Sequence, residues 1–235
     1  MPDLTFEEVL GKARDDPRIV GLFLGGSRGK GANVRPDSDY DVRVVIAEED
    51  EELFRELDTE RGVPVEVAVM TLEELRAYKQ WDRPTLTHTQ ALVDKTGEIQ
   101  RLIDEQGRLS AAEAERIPPL ALDAYMNSLY RSLKRPGLGG RIHAAESVGH
   151  VLVCLFALEG RVRPFHDYLA WELETHPLED LPADRLLGLV DRALSGEPEP
   201  QRELFRVVEP HVRARGLGDV VDSWEPDVPL MRGES

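Results

Sequence analysis

Ile19-Val20-Gly21-Leu22-Phe23-Leu24-Gly25-Gly26-Ser27, followed a dozen residues later by Asp37-Ser38-Asp39-Tyr40-Asp41, is the stretch on which the reading of this chain turns. The apolar run Ile19–Leu24 is short and ends at glycine, the pattern of a buried strand. Gly25 and Gly26 permit backbone angles and close approaches that a side chain blocks. Ser27 is placed to cap a following helix, whose first N–H groups favour an anion such as a triphosphate. An ordinary strand-to-helix turn has the same residues, so the turn alone leaves both readings open. A Walker loop is excluded, because the required glycine and the Ser or Thr around Gly29-Lys30 are Leu24 and Gly31. A dinucleotide fingerprint from Gly29 fails at Val34.

The aspartates carry more. Alternate strand residues share a face. Tyr40, Val42, Val44 and Ile46 therefore form one apolar face, and Asp39, Asp41, Arg43 and Val45 the other. Two carboxylates on one face repel unless water or a cation screens them. Hard cations such as Mg2+ take oxygen ligands and commonly share them with substrate phosphates. A further strand reads from Pro64-Val65-Glu66-Val67-Ala68-Val69-Met70, in which Glu66 is the single charge, opposite the valine face. An unpaired buried carboxylate is costly, and a nearby metal would remove that cost. A solvated strand end at the aspartates and an edge position at Glu66 are the plainer accounts of the same residues.

Gly26-Ser27, then Asp39-x-Asp41, then a strand-borne acid at Glu66, resembles the DNA polymerase β-type nucleotidyltransferase superfamily. The likeness is greatest to small bacterial members: aminoglycoside, lincosamide and minimal nucleotidyltransferases. It runs over Arg18 to roughly Thr71, continues more weakly to Gln106, and is architectural beyond. The resemblance implies transfer of a nucleoside monophosphate, AMP from ATP, with pyrophosphate released. It implies that Gly26 and Ser27 hold the triphosphate, that Asp39 and Asp41 bind Mg2+, and that Glu66 completes the metal site or acts as general base. The third acid is Glu where Asp is more usual, which leaves ligand and base both open for Glu66. Nucleotidyl transfer needs positioning and charge neutralisation, which such a set can supply. Arg28, Lys30 and Arg35 lie in the intervening loop within reach of phosphates, Arg35 reading best as a surface residue and Asp37 as a turn residue after Pro36.

The chain has 235 residues, a net charge of −16 and one cysteine. That length suits one large or two small domains. The acidity opposes broad nucleic-acid binding, and with it a template-using polymerase or a tRNA-tailing enzyme. It permits a cationic small acceptor. The single Cys154 excludes an internal disulfide and reads as a small core residue. No basic–apolar leader is visible at Met1–Glu7, and no apolar run is read as membrane-spanning, which together fit a cytoplasmic protein without a membrane partner.

The expected fold is α+β. Residues 1–107 form the nucleotidyltransferase domain, a small mixed sheet with flanking helices, and residues 108–235 a helical, acceptor-binding bundle with a tail. In the first part, helices are expected at Leu4–Ala13, Ser27–Ala32, Glu49–Thr59 and Glu98–Gln106, with a capping box at Thr71–Glu74 opening another and a short strand at Ala91–Asp94. The boundary is placed in Gly107–Pro119. Leu120–Lys134, Ile142–Leu158, Phe165–Leu173, Ala183–Leu194 and Gln201–Ala214 read as about five further helices. The tail from Gly216 either wraps the bundle or frays.

Lys134 reads either as a solvated helix end or as a distal ligand of the triphosphate, and His143 with Glu146 either as a satisfied core pair or as site residues. Two alternative functions remain beside metal-dependent transfer to a small-molecule or protein hydroxyl. One is a nucleotide-binding regulator without turnover. The other is a HEPN-type ribonuclease, whose Arg-x4-His spacing Arg161 to His166 resembles, with Pro164 awkwardly inside it.

Overall fold

The computed structural model describes residues 4–59, 62–78, 80–135 and 137–234. It divides into two compact units, Met1–Arg108 and Leu109–Ser235. The fold class is α+β, with one mixed four-stranded sheet in the first unit and helices throughout the second.

The N-terminal unit runs α1 (Phe6–Asp15), β1 (Ile19–Leu24), α2 (Gly26–Lys30), β2 (Tyr40–Ile46), α3 (Glu51–Leu57), β3 (Val65–Thr71), α4 (Leu72–Arg76), β4 (Ala91–Asp94) and α5 (Ile99–Gln106). The sheet order is β3-β2-β1-β4. β1 pairs antiparallel with both neighbours, and β2 pairs parallel with β3. The local signals act as their chemistry requires: Thr5 and Thr71 close capping boxes with Glu8 and Glu74, and the Asp50 side chain accepts from two N–H groups at the start of α3. The apolar face of β2 and β3 (Val42, Val44, Ile46, Val65, Val67, Val69) is buried under Val9, Leu10 and Ala13 of α1 and Leu53 and Leu57 of α3. The opposite face is covered only in part. Phe23 and Val45 lie under Leu75, Leu86, Ile99, Leu102 and Ile103, while Asp41 and Glu66 on that side stay half-buried.

The C-terminal unit is built on the hairpin α6 (Ala111–Lys134) and α7 (Gly137–Leu158), followed by α8 (Leu169–Thr175), α9 (Ala183–Ala193), α10 (Pro198–Val212), α11 (Gly218–Asp222) and α12 (Val228–Arg232). α6 starts nine residues before the expected Leu120, because Ser110 and Glu113 form a capping box. Pro118 and Pro119 are accommodated inside it. Each lacks an N–H and so leaves one carbonyl of the preceding turn without its usual donor; the cap and the burial of Pro118 outweigh that cost. The expected helix at Phe165–Leu173 resolves into a 3-10 turn, His166–Tyr168, and α8.

The tail wraps and does not fray. Val221, Val228 and Met231 are fully buried, Trp224 Nε1 donates to Asp123 Oδ1 at 2.9 Å, and Arg202 and Arg206 donate to the carbonyls of Leu230 and Arg232. Among the described residues α7 alone is long and apolar enough to cross a membrane, contrary to the expectation that no run reaches that length. Its apolarity has a packing cause: Ala144, Val148, Val151, Leu152, Cys154, Leu155 and Phe156 all lie in the core of the bundle.

Candidate active site

β2 and β3 run in register with Asp41 opposite Glu66 and Arg43 opposite Ala68. Side chains opposite one another on neighbouring strands share a face, so the two acids stand side by side. Asp39 precedes them by one strand step and is exposed. The Asp41 carboxyl is held above its ordinary range, first by burial, then by the charges of Asp39 and Glu66, with Arg43 opposing them. Asp41 thus feels the charges of both Asp39 and Glu66.

The glycine turn lies directly on this group. Gly26 has φ +55°, and a Cβ there would overlap Asp41 Oδ2. A Cβ on Gly25 would come within 2.9 Å of Thr85 Cγ2. The Gly25 N–H donates to the Asp41 carbonyl at 2.7 Å, which ties the turn to β2. Only a residue without a side chain, in the left-handed region, brings the start of α2 this close to the carboxylate. Ser27 differs from expectation. Gly25 occupies the cap position without a side-chain bond, and Ser27 stands inside the first turn, its carbonyl accepting from Ala32 N–H at 2.9 Å.

Two basic residues of the loop are engaged by the protein. Arg28 donates from Nε and Nη2 to the Ser38 carbonyl and from Nε to that of Asp39, and lies 4.0 Å over the Tyr40 ring. It fixes the backbone that carries Asp39. Lys30 is buried and donates to the Pro84 and Thr87 carbonyls and to Thr87 Oγ1, so it anchors the Gln80–Thr89 segment and does not face solvent phosphates. Arg35 and Asp37 pair on the surface at 3.5 Å.

A polar group that no sequence motif marks reaches the glycine turn through Thr85. Asp82 accepts from Tyr78 Oη and from Thr85 Oγ1, each at 3.1 Å. The Tyr78 hydroxyl is pushed up to about 12 by burial and the Asp82 charge, with Arg43 opposing. The Gln80–Thr85 turn that carries Asp82 and Thr85 has no strand or helix period to mark it; Pro84 is its one local signal.

Other residues singled out from sequence lie in the C-terminal unit. Lys134 is exposed at the end of α6, its Nζ 5.7 Å from the Tyr130 ring centroid. His143 Nδ1 and Glu146 Oε2 meet at 2.9 Å on α7 with half of the Glu146 side chain exposed, so they are not a core pair. Arg161 pairs with Glu172 at 2.6 Å and Glu159 at 3.2 Å, while His166 stands exposed on the 3-10 turn. Arg161 there braces a loop and is not presented with His166 from one helix.

The donor set fits a hard dication: carboxylate oxygens, mutual repulsion that a cation relieves, and backbone N–H groups at Gly26 and Ser27 beside it. Among the described residues no group of three or more His, Cys, Asp or Glu side chains forms a ready cage. No protein-family model and no curated protein matches the chain. A solved structure similar to it is that of a nucleotidyltransferase-like protein from Exiguobacterium sibiricum 255-15, 12% identical, with a TM-score of 0.38 over 93% of this chain and 79% of that one. A likeness that distant assigns neither activity nor substrate.

Proposed function

We propose that the N-terminal unit is a metal-dependent nucleotidyltransferase that moves a nucleoside monophosphate, AMP from ATP, to a hydroxyl of a small molecule or protein and releases pyrophosphate. The observation that supports it best is the in-register placement of Asp41 beside Glu66, with Asp39 one step away and the Gly26 turn resting on Asp41.

Asp39 and Asp41 would hold Mg2+, with Glu66 as third ligand or as the base that takes the acceptor's proton. The ion when bound supplies charge neutralisation for the triphosphate and for the acids alike. The N–H groups of Gly26 and Ser27, free at the first turn of α2, orient phosphate oxygens. Arg28 holds Asp39 in place through the two carbonyls it binds. Arg43 limits the charge of the acid pair from the same face. The acceptor-binding role belongs, on this reading, to the helical unit.

The test is incubation with labelled ATP, Mg2+ and a panel of amino sugars, small hydroxylated metabolites and protein side-chain acceptors, with transfer and pyrophosphate both measured. Binding of Mg2+–ATP that is lost in Asp39→Asn and Asp41→Asn, accompanied by transfer, supports the reading. Binding without transfer to any acceptor favours the non-catalytic alternative. RNA cleavage dependent on Arg161 and His166 would overturn it. Glu66→Gln then separates two roles: a base variant keeps Mg2+ affinity and loses about 10²–10⁴-fold in turnover, whereas a ligand variant weakens Mg2+ binding as well.

A further inference from the structure

The C-terminal unit matches most of its arginines with carboxylates: Arg161 with Glu159 and Glu172, Arg192 with Glu203, Arg206 with Glu199, Arg213 with Glu209 and Asp222, and Arg232 with Glu209. Lys134, Arg135 and Arg141 stand apart. They line one cavity of about 400 Å3 between the α6–α7 turn and the start of α10. Among the described residues the ion pairs leave these three cations without a carboxylate partner, in a chain of net charge −16. Arg116, Arg131, Arg163 and Arg185 also lack a carboxylate partner among the described residues, but none of them lines this cavity: Arg116 is exposed at the opposite end of α6, Arg131 donates to Asn127 Oδ1, and Arg185 is exposed on α9.

Concentrating like charge around a concavity is unfavourable unless a counter-charge enters it. The backbone adds to the same sign. α7 is 22 residues long, opens Gly137-Leu138-Gly139-Gly140 at the cavity, and has no acidic side chain in its first turn. Its positive end is therefore not neutralised from within. Ser195 lines the cavity with a hydroxyl that accepts from Glu197 N–H at 3.2 Å and keeps its own proton to donate. One carboxylate, Glu197, also lines it, so the lining carries three cations against one anion. The volume is that of a small-molecule site and not of a crevice for a single ion. Arginine forks suit phosphate oxygens in particular.

We infer that this cavity binds a phosphate-bearing small molecule, held by Lys134, Arg135, Arg141, Ser195 and the opening turn of α7. The inference stands on the C-terminal unit alone and does not require the acids of the N-terminal unit to be catalytic. The phosphate can be that of a nucleotide or of a phosphorylated sugar, and the probes separate the two.

Calorimetry at low and physiological salt with inorganic pyrophosphate, ribose 5-phosphate, and ATP without Mg2+ tests it on the full chain, with ribose as the uncharged control. The expected result is saturable binding of at least one phosphorylated probe and none of ribose. Arg141→Glu and Lys134→Glu weaken it tenfold or more, while Arg185→Glu, the same charge change on an exposed helix, weakens it less than twofold. Ribose 5-phosphate carries no nucleotide to transfer, so its binding and its loss in Arg141→Glu are read independently of the proposed transferase activity, whose failure does not affect the outcome. Binding of ribose 5-phosphate identifies a phosphorylated metabolite as occupant; binding of ATP alone identifies a nucleotide. Equal losses from Arg185→Glu and Arg141→Glu would reduce the effect to general surface charge and overturn the inference. So would absence of binding by all three phosphorylated probes to a wild-type protein with intact helicity. Should Arg141→Glu misfold, Arg141→Gln with circular dichroism as control reads the same contrast.

Discussion

The two units treat their buried carboxylates in opposite ways. In the helical unit, Glu209 is almost enclosed and is clamped by Arg213 at 2.9 Å and by Arg232; Glu172 is enclosed and clamped by Arg161 at 2.6 Å. Both of these carboxylates have a cation within hydrogen-bonding distance. In the sheet unit, Asp41 has two carboxylates for neighbours, and Arg43 only partly offsets them. A fold that clamps Glu172 and Glu209 with arginines and leaves Asp41 among like charges marks Asp41 as a candidate position for a ligand. The cationic cavity follows the same logic with the sign reversed.

The largest expected effect breaks the contrast on the acid side. Asp41→Asn lowers nucleotide transfer by about 10²–10³-fold or more, the scale at which losing one preorganised electrostatic contact slows an enzyme. Stopped or steady-state transfer assays with fold checked by circular dichroism decide it; near-normal turnover removes the conflict from function. The paired side gives the next effect. Glu209→Gln destabilises the helical unit by about 2–3 kcal/mol, the cost of losing charged hydrogen bonds in a protected position. Trp81 is the one tryptophan of the N-terminal unit, so urea unfolding of a Trp81→Phe background reports Trp171 and Trp224 alone. The Glu209 carboxyl is held below its ordinary value, by Arg232 first and Arg213 next. Its contribution is therefore complete above the unfolded value and fades as pH falls through the depressed one. The variant's deficit should shrink in acid by the same course.

A smaller effect sharpens the geometry. Gly26→Ala places a methyl on Asp41 Oδ2 at φ +55°. The strain costs about 1–2 kcal/mol, and the displaced acid raises the Mg2+ concentration needed for half-maximal transfer. An unchanged Mg2+ requirement in a folded variant separates the turn from the acid site.

How much of this was legible beforehand follows the range of each signal. β2 matches its expected bounds at Tyr40–Ile46, and β1 and β3 fall within two residues, because alternation and glycine punctuation are local. The face shared by Asp41 and Glu66 could be drawn for each strand separately, yet their register could not, since it depends on the parallel pairing. Lys30 was open to a phosphate role because its partners, Pro84 and Thr87, lie more than fifty residues on. The Tyr78–Asp82–Thr85 group has no local signal for the same reason: Thr85 meets the Gly25 turn only through packing of an aperiodic segment. α6 starts inside the segment Gly107–Pro119 assigned to the boundary, because the Ser110–Glu113 capping box, a local signal, opens the helix upstream of Pro118 and Pro119.

The smallest effect is a gain in stability from damage to the site. The folded Asp41 carboxyl lies above its ordinary range, so folding favours its protonated form. Stability from this group is present at low pH and falls as pH rises from the unfolded value to the raised one, remaining lower at neutrality. Asp41→Asn removes that penalty. At pH 7 in chelator the variant should melt slightly above wild type, and the difference should vanish near pH 3, where the wild-type acid is protonated. The gain is small because Asp41 is only half-buried and water screens its neighbours. Added Mg2+ supplies the missing counter-charge, so it should raise the wild-type melting temperature and leave that of Asp41→Asn nearly unmoved, reversing their order. Scanning calorimetry across pH with and without Mg2+ reads both effects. A variant that melts below wild type at pH 7 without metal would mean that Asp41 is satisfied as it stands, with Arg43 a full partner, and the contrast between the two units would no longer hold.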